Sequence, residues 1–181
     1  MLTSHELSRY AAFSSGVVTT RIKSKITDYP TNIQLYNPLS EKTRYLKSGK
    51  NDLPMLKKDQ IVISVMKQQA YSPQVHSEKH LVLTANFIAV TLHKNVEPGF
   101  FMWWFNHSDE ALNQLYAFRQ TGRRIILQDI KKMRITVPSI KKQKYISNLY
   151  FLSLKTAEEL KKKAVEVQTH ALQVIQQKLF L

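Results

Sequence analysis

The first 138 residues of the chain alternate short apolar runs with turn residues. The run at residues 61–66 and the run at residues 87–92 are short, apolar and rich in β-branched side chains, which predicts two buried strands. Shorter apolar runs at residues 125–127 and 135–137 predict two further strands. The pattern therefore indicates a domain built largely from short strands.

A helical stretch interrupts these strands. The aromatic run at residues 100–105 is compatible with a strand or with a buried helical turn, since periodicity does not separate the two over so short a run. Ser108 is the expected N-cap of a helix over residues 109–119, whose acidic start suits the positive end of the helix dipole. Gly122 would follow the end of that helix. Residues 1–50 are polar and turn-rich, and no element is predicted there.

Residues 139–181 contain neither glycine nor proline, and their apolar residues repeat every seven positions. The first series is Ile146, Ser153, Leu160, Val167, Val174 and Leu181. The second series, four residues further on, is Tyr150, Ala157, Ala164, Ala171 and Lys178. Such a seam predicts a coiled coil, and its alanine-rich side suits the close approach of two antiparallel helices.

The alternative is one long helix folded back on its own domain. A helix of roughly 40 residues is about 60 Å long, which is more than a domain of this size covers completely. Leu172, Ile175 and Leu179 widen the apolar face near the C-terminus. They would be exposed on a two-stranded coil, which indicates a further contact there.

The charge of the chain indicates a polyanionic partner. Lysine and arginine number 27 against 13 acidic residues, so the formal net charge is +14. An excess of this size favours DNA, RNA or an acidic membrane surface over a protein that is merely basic and soluble. No apolar run approaches the roughly 18–20 residues that span a bilayer, and the first residues lack a signal-peptide layout. A cytoplasmic protein is expected.

The sequence offers little chemistry for catalysis. Its four glycines are widely separated, so no glycine-rich phosphate loop is present, and there is no cysteine. The Asn/Asp-Pro-Pro-Tyr/Phe tetrapeptide of amino-methyltransferases is also missing. Residues 76–80 alternate potential metal ligands, but beside Pro73 they are interpreted as solvated loop residues. We therefore expect no bound metal or cofactor and no enzyme activity of the chain itself.

Basic and amide side chains cluster at several places where loops are predicted. Arg and Lys suit phosphates and guanine edges, and Gln suits adenine edges. Three of the basic residues alternate along residues 21–25, so an extended backbone would direct them to one face. The candidate DNA-contacting residues are Arg21, Lys23, Lys25, Lys67, Gln68, Gln69, Arg119, Arg123, Arg124 and Lys131. Each alone is more readily a solvated surface charge than a base reader, and it is the clustering that carries the hypothesis.

The stretch from residue 118 to residue 146 contains an ordered series of short motifs in addition to its basic residues. Gly-Arg-Arg at 122–124 is followed by Leu-Gln-Asp-Ile at 127–130, by Ile-Thr-Val-Pro at 135–138, and by Gln-Lys-Tyr-Ile at 143–146. This order resembles the end of a target-recognition domain in the specificity subunits of type I restriction–modification systems.

Earlier segments resemble the same family in the same order. They are the Ser-Gly-Val turn at 15–17, the strand at 56–64, the strand at 84–90 with the segment at 98–107 after it, and the helix end at 177–180. Departures from the family pattern occur at Gln60, Ser139 and Lys142.

The resemblance implies an α+β target-recognition domain over residues 1–138 and a long helix over residues 139–181 that forms an antiparallel coiled coil on dimerisation. Full-length members carry two such domains and two such helices, so this chain looks like one half. The helix seam would then use Ile146, Tyr150, Ala157, Leu160, Ala164, Val167, Ala171 and Val174. The implied partner chain is a second copy or a different half-subunit, which give a palindromic or an asymmetric bipartite target respectively.

The implied role is to recognise one DNA half-site and to dock methyltransferase subunits, which bind S-adenosylmethionine and flip out the target adenine. The docking stripe would be Val165, Leu172, Ile175 and Leu179. A nuclease subunit is a further possible partner. Two other hypotheses stay open: a half-subunit that competes with full specificity subunits, and a protein that coats nucleic acid without sequence preference.

Overall fold

The computed structural model describes residues 3–37, 40, 42–47, 53–73 and 80–179. Its elements, in chain order, are β1 (Ser4–Glu6), β2 (Ala11–Ser15), α1 (Thr19–Ile22), β3 (Ile26–Thr27), β4 (Ile33–Tyr36), β5 (Arg44–Leu46), β6 (Ile61–Ser64), β7 (Gln69–Tyr71), β8 (His80–Leu83), β9 (Phe87–Leu92), α2 (Pro98–His107), α3 (Asp109–Gln120), α4 (Leu127–Lys132), β10 (Arg134–Thr136) and α5 (Ile140–Leu179). Two 3₁₀ turns lie at Leu7–Arg9 and Lys23–Lys25.

The strands form two four-stranded sheets and one two-stranded ribbon. The first sheet has the order β2-β9-β6-β7 and is antiparallel throughout. The second has the order β3-β5-β4-β8, in which β4 and β8 are parallel. The ribbon pairs β1 with β10, so it joins the two ends of the domain. The mixed α+β class is thus confirmed.

The predicted strands at 61–66 and 87–92 are confirmed as the central strands β6 and β9. Their side chains alternate between two separate apolar clusters: Ile63 and Ile88 face the main core, whereas Val62 and Ala89 face a smaller cluster beside the second sheet. A strand covered on both faces is apolar throughout, which explains why these two were recognisable from the sequence.

The helical region follows the prediction closely. The aromatic run lies in α2, with Pro98 in the first turn, where a missing N–H costs nothing. Ser108 caps α3, its hydroxyl accepting the Ala111 N–H at 3.1 Å. Gly122 follows α3 with a φ of +70°, a conformation that glycine adopts readily. The strand expected at 135–137 is confirmed as β10, one residue earlier.

Two interpretations of the sequence are wrong. Residues 125–127 are not a strand, because the Asp129 carboxylate accepts the Ile126 N–H at 2.9 Å and so starts α4 at Leu127. Residues 21–25 are not extended: they lie in α1 and the following 3₁₀ turn, so alternation does not align the side chains of Arg21, Lys23 and Lys25. The described part of the first fifty residues also holds five short strands that were not predicted.

The predicted C-terminal helix is confirmed as α5, 40 residues long, or about 60 Å at the usual helical rise. Its first three turns pack on α2, where a Cβ on Gly99 would lie 2.0 Å from the Ser147 hydroxyl oxygen, so glycine permits this close crossing. Tyr150 is the last buried residue of α5, and residues 151–179 are all exposed. The folded-back alternative therefore holds only for the start of the helix.

Gln143 fixes the start of α5 to the domain. Its side chain is 1% exposed, accepts the Glu97 N–H at 2.8 Å, and donates to the Asn95 carbonyl at 3.1 Å and the Pro138 carbonyl at 2.8 Å. These three bonds join the loop before α2, the end of the domain at Pro138 and the helix. The buried amide of Gln143 and the packing on α2 together set the direction in which α5 leaves the domain.

None of the helices, over the residues described, is both long enough and apolar enough to cross a membrane.

Candidate nucleic-acid interface

Three turns meet at one end of the first sheet, because antiparallel pairing brings the ends of β2 and β6 to the start of β9. The Gly16 N–H donates to the Phe87 carbonyl at 3.1 Å, and the Val65 N–H donates to the Asn86 carbonyl at 2.9 Å. The surface formed by these turns is termed the turn edge, and it comprises residues 15–18, 65–68 and 84–86.

The turn edge is held by close backbone contacts. A Cβ on Gly16 would lie 2.1 Å from the Thr84 carbonyl oxygen, so only glycine allows the two turns to touch. Next to it, the Val17 N–H donates to the Leu83 carbonyl at 2.7 Å, and the Ala85 N–H donates to the Val17 carbonyl at 2.8 Å. The Ser-Gly-Val turn recognised in the sequence thus anchors this edge.

A cleft of about 380 Å³ opens beside the turn edge. The parallel strands β4 and β8 both end there, and β5 crosses next to β4. This basic cleft is lined by Thr19, Ile26, Leu35, Asn37, Ser40, Lys42, Arg44, Thr84 and Asn86. Within the described ranges its lining contains two cations and no carboxylate, which suits a polyanion.

Arg124 links the loop after α3 to this cleft. Its Nη2 donates to the Asn86 Oδ1 at 2.7 Å, while the Asn86 carbonyl accepts the Val65 N–H. Both residues are exposed. The cation of Arg124 therefore lies at the turn edge.

Arg123 points elsewhere and holds α4 in place. Its Nη2 donates to Asp129 Oδ1 at 2.6 Å and its Nη1 to Asp129 Oδ2 at 2.8 Å. These hydrogen bonds hold the pKa of the Asp129 carboxyl below its usual range, although burial acts in the opposite direction. The same carboxylate accepts the Ile126 N–H. Within the Gly-Arg-Arg motif, Arg123 therefore stabilises the start of α4.

Replacing Asp129 with asparagine is expected to lower the free energy of unfolding by about 2 kcal/mol at neutral pH, because the buried carboxylate loses its charged hydrogen bonds to the half-exposed Arg123. A depressed folded-state pKa stabilises the fold above the ordinary aspartate value of 3.8, and this contribution disappears as the pH falls through the folded-state pKa. Urea unfolding at several pH values should show the parent and the variant converging below about pH 4. If the difference in free energy of unfolding between parent and variant stays constant down to acid pH, the Asp129 carboxylate does not stabilise the fold through its charge.

The remaining predicted contact residues divide into two groups. Lys67 and Gln68 lie in the turn edge, where Gln68 has a φ of +53°, and Gln69 follows at the start of β7. Arg119 lies over the Tyr116 ring at 6.0 Å on the last turn of α3, and Lys131 lies in the last turn of α4. Neither of the latter two is brought to the basic cleft by any contact we observe.

Arg21, Lys23 and Lys25 lie next to the basic cleft, because α1 begins at Thr19, which lines it. The carbonyl of Lys25 accepts the Lys47 N–H at 2.8 Å, which adds a further exposed cation to this side. The three predicted residues therefore remain near the interface although their backbone is helical rather than extended.

The sequence did not predict five polar and charged residues that line the cleft: Asn37, Lys42, Arg44, Thr84 and Asn86. Arg44 lies on a three-residue strand in a region that reads as turns, so no local pattern marked it. Among the described residues no group of three or more potential metal ligands comes together. Residues 76–79 of the histidine-containing segment lie outside the described residues.

No family model matches the chain, and no curated protein matches it. Solved structures do. The HsdS subunit from Thermoanaerobacter tengcongensis matches with a TM-score of 0.62 and 10% identity, over 89% of this chain and 39% of that one. A chain from a structure described as the basis of complex assembly and conformational transition of the type I R-M system matches with a TM-score of 0.68 and 11% identity, over 93% and 42%.

The S subunit of the type I restriction–modification system from M. genitalium also matches, with a TM-score of 0.56 and 16% identity, over 89% of this chain and 41% of that one. The chain thus spans about two fifths of the length of the S subunits that it matches. The resemblance found at residues 118–146 is confirmed at the level of the fold: this chain folds like about two fifths of a type I restriction–modification S subunit.

Proposed function

We propose that this chain is a non-catalytic, sequence-specific DNA-binding subunit that recognises one half-site of a bipartite target in a type I-like restriction–modification system. The single observation that carries the proposal is the S-subunit fold, found over about nine tenths of the chain. The net charge of +14 and the basic cleft at the turn edge support DNA as the ligand.

In this proposal the turn edge and the basic cleft face the duplex. Exposed cations around them, such as Arg21, Lys67 and Arg124, contact phosphates and set the register, while a few side chains in the cleft contact base edges. Arg123 contributes indirectly, since its salt bridge with Asp129 holds the loop that presents Arg124.

We further propose that two chains pair through α5. Leu160 is 62% exposed and Val167 is 71% exposed, so the seam beyond the domain has no cover within one chain. Ile146 and Tyr150, at the start of the seam, already pack on their own domain. The intermolecular part of the seam is therefore Ala157, Leu160, Ala164, Val167, Ala171 and Val174.

An antiparallel pair related by a two-fold axis would carry one recognition domain at each end, and the length of α5 would set the spacer between half-sites. An apolar cavity of about 650 Å³ between α2 and α5, lined in part by Trp103, Leu149 and Leu154, would be covered by the far end of the partner helix. A second copy gives a palindromic target, and a different half-subunit gives an asymmetric one.

The second apolar stripe on α5 is proposed to dock methyltransferase subunits. Val165, Leu172, Ile175 and Leu179 are all more than half exposed. An apolar stripe outside the seam indicates a protein contact. The methyltransferase would bind S-adenosylmethionine and modify an adenine in the cytoplasm, and a nuclease subunit would join the same assembly.

Selection from random duplexes tests the DNA-binding part of the proposal. The full chain, co-expressed with a methyltransferase subunit from the same host, is expected to enrich a gapped motif with a fixed spacer. Binding should weaken steeply with salt, because each neutralised phosphate releases counterions. Equal retention of all sequences would indicate a non-specific coating protein, and methyltransferase binding without any DNA motif would indicate a competing half-subunit.

A further inference from the structure

The two cations of the basic cleft supply hydrogen-bond donors only, whereas its hydroxyl and amide side chains both donate and accept. Lys42 and Arg44 carry donors only, and neither takes part in a salt bridge within the described ranges. The Ser40 hydroxyl is used locally, donating to the Lys42 carbonyl at 3.0 Å and accepting the Lys42 N–H at 3.2 Å. The cleft therefore offers hydrogen atoms to a ligand that brings acceptors.

The amide of Asn86 adds to this bias because its orientation is fixed. Arginine has no acceptor, so the atom of Asn86 that lies 2.7 Å from the Arg124 Nη2 must be its oxygen. The backbone of Asn86 is held as well, since its carbonyl accepts the Val65 N–H. The Nδ2 amino group, with its two hydrogens, and the second lone pair of the oxygen remain for a ligand at the cleft.

Bases differ in what they present to such a site. In the major groove guanine presents two acceptors, N7 and O6, whereas adenine presents one acceptor and one donor. Cytosine presents a donor, and thymine one acceptor beside a methyl group. An asparagine that binds adenine uses its oxygen and its nitrogen together. The Arg124 bond takes one of the two lone pairs of the Asn86 oxygen, and Arg44 has no acceptor for the amino group of adenine.

We propose that the basic cleft binds the major-groove edge of a guanine in the half-site, through Arg44 and the Asn86 amino group, and that it discriminates against adenine and cytosine at that position. This inference rests on the proposed function. It specifies which base this part of the interface selects.

A phosphate is the other acceptor-only group that DNA offers. Two features favour the base edge. Ile26 and Leu35 form an apolar part of the lining, and the donor of Asn86 is held in one direction by two hydrogen bonds. Exposed cations on flexible side chains suffice for phosphates, which need no fixed donor.

Chemically modified DNA distinguishes the two sources of acceptors. Once selection has given the motif, each guanine in a half-site is replaced by 7-deazaguanine, which lacks N7, and each phosphate by an uncharged methylphosphonate. At one guanine the deaza base should weaken binding of the parent about tenfold, and Arg44→Ala should lose about as much affinity and become insensitive to that base.

Two results would overturn the inference while leaving the proposed function standing. One is a motif whose half-site contains no guanine. The other is a loss of affinity in Arg44→Ala that a methylphosphonate reproduces and 7-deazaguanine does not, which would assign a phosphate to the cleft. Failure of the parent to enrich any motif would instead contradict the proposed function itself.

Asn86→Asp provides an independent test, because it keeps the size of the side chain and its bond to Arg124 but removes the amino donors. Selection with this variant should relax the preference for guanine at that one position. Lys94→Ala is the control: this exposed lysine follows β9 at the opposite end of the strand, and its removal should leave the motif unchanged. An unchanged motif in Asn86→Asp would contradict the assigned role.

Discussion

Replacing Gln143 with leucine is expected to lower the free energy of unfolding by about 3 kcal/mol, because three partly buried backbone groups lose a side-chain hydrogen-bond partner. The Glu97 N–H and the Asn95 and Pro138 carbonyls all bond to this amide. Leucine fills a similar volume, so the loss reports the polar contacts rather than a cavity. Urea unfolding measures the difference.

The matched control is Lys141→Leu, which places the same side chain on the exposed side of the same helical turn. Its unfolding midpoint should stay close to that of the parent. Gln143→Leu should also change DNA recognition, because α5 would no longer leave the domain in one direction. Duplexes with a spacer one base pair longer or shorter should compete better against the variant than against the parent. Equal midpoints for the two variants would contradict the role assigned to Gln143.

Leu160→Asp is expected to leave the single chain folded and to abolish the pairing of two chains. Leu160 is 62% exposed in one chain, so the aspartate stays hydrated there. In a paired seam the carboxylate would be buried without a partner, at a cost of about 3 kcal/mol or more, and a two-fold pair buries two of them. Self-association should weaken by about a hundredfold or more, since each 1.4 kcal/mol changes an equilibrium constant about tenfold. Sedimentation measures it.

Gln173→Asp is the control for this experiment. It adds the same charge to the same helix, on the face opposite the seam, and should sediment like the parent. If Leu160→Asp also sediments like the parent, the seam is not the site of pairing. If both variants dissociate, the added charge and not its position is responsible.

The sequence predicted two kinds of element: strands that are covered on both faces, and helices whose ends are marked by local residues. Strands β6 and β9 are covered on both faces over most of their length and are therefore mainly apolar. The cap at Ser108 and the absence of glycine and proline after Pro138 marked α3 and α5. These elements lie in the half of the chain where propensity, capping and packing agree.

Three short strands of the first fifty residues, β1, β2 and β4, could not be predicted because they pair with strands far along the chain. Strand β1 pairs with β10, and β4 pairs with β8, so the stabilising hydrogen bonds cross more than forty residues of chain. Over three or four residues, strand propensity contributes less to strand formation than these long-range contacts do. The wrong strand at 125–127 has a local cause, since the carboxylate of Asp129 starts a helix within an apolar run.

The candidate interface was predictable only in part for a similar reason. Lys67, Gln68 and Arg124 lie where turns were expected, and the structure places them at the turn edge. The basic cleft, in contrast, is assembled from four separate segments that meet only in the fold. The salt bridge between Arg123 and Asp129 could not be predicted from the sequence either. The charge of an arginine alone does not show whether it stabilises the fold or contacts a ligand.

Adenine methylation of the host genome, mapped with and without the gene for this chain, tests the central claim most directly. The account predicts that one gapped adenine-methylated motif disappears on deletion and returns on complementation, palindromic if two copies of the chain pair and asymmetric if a different half-subunit is the partner. An unchanged set of methylated motifs in the deletion strain would contradict the claim that this chain directs a methyltransferase to its target.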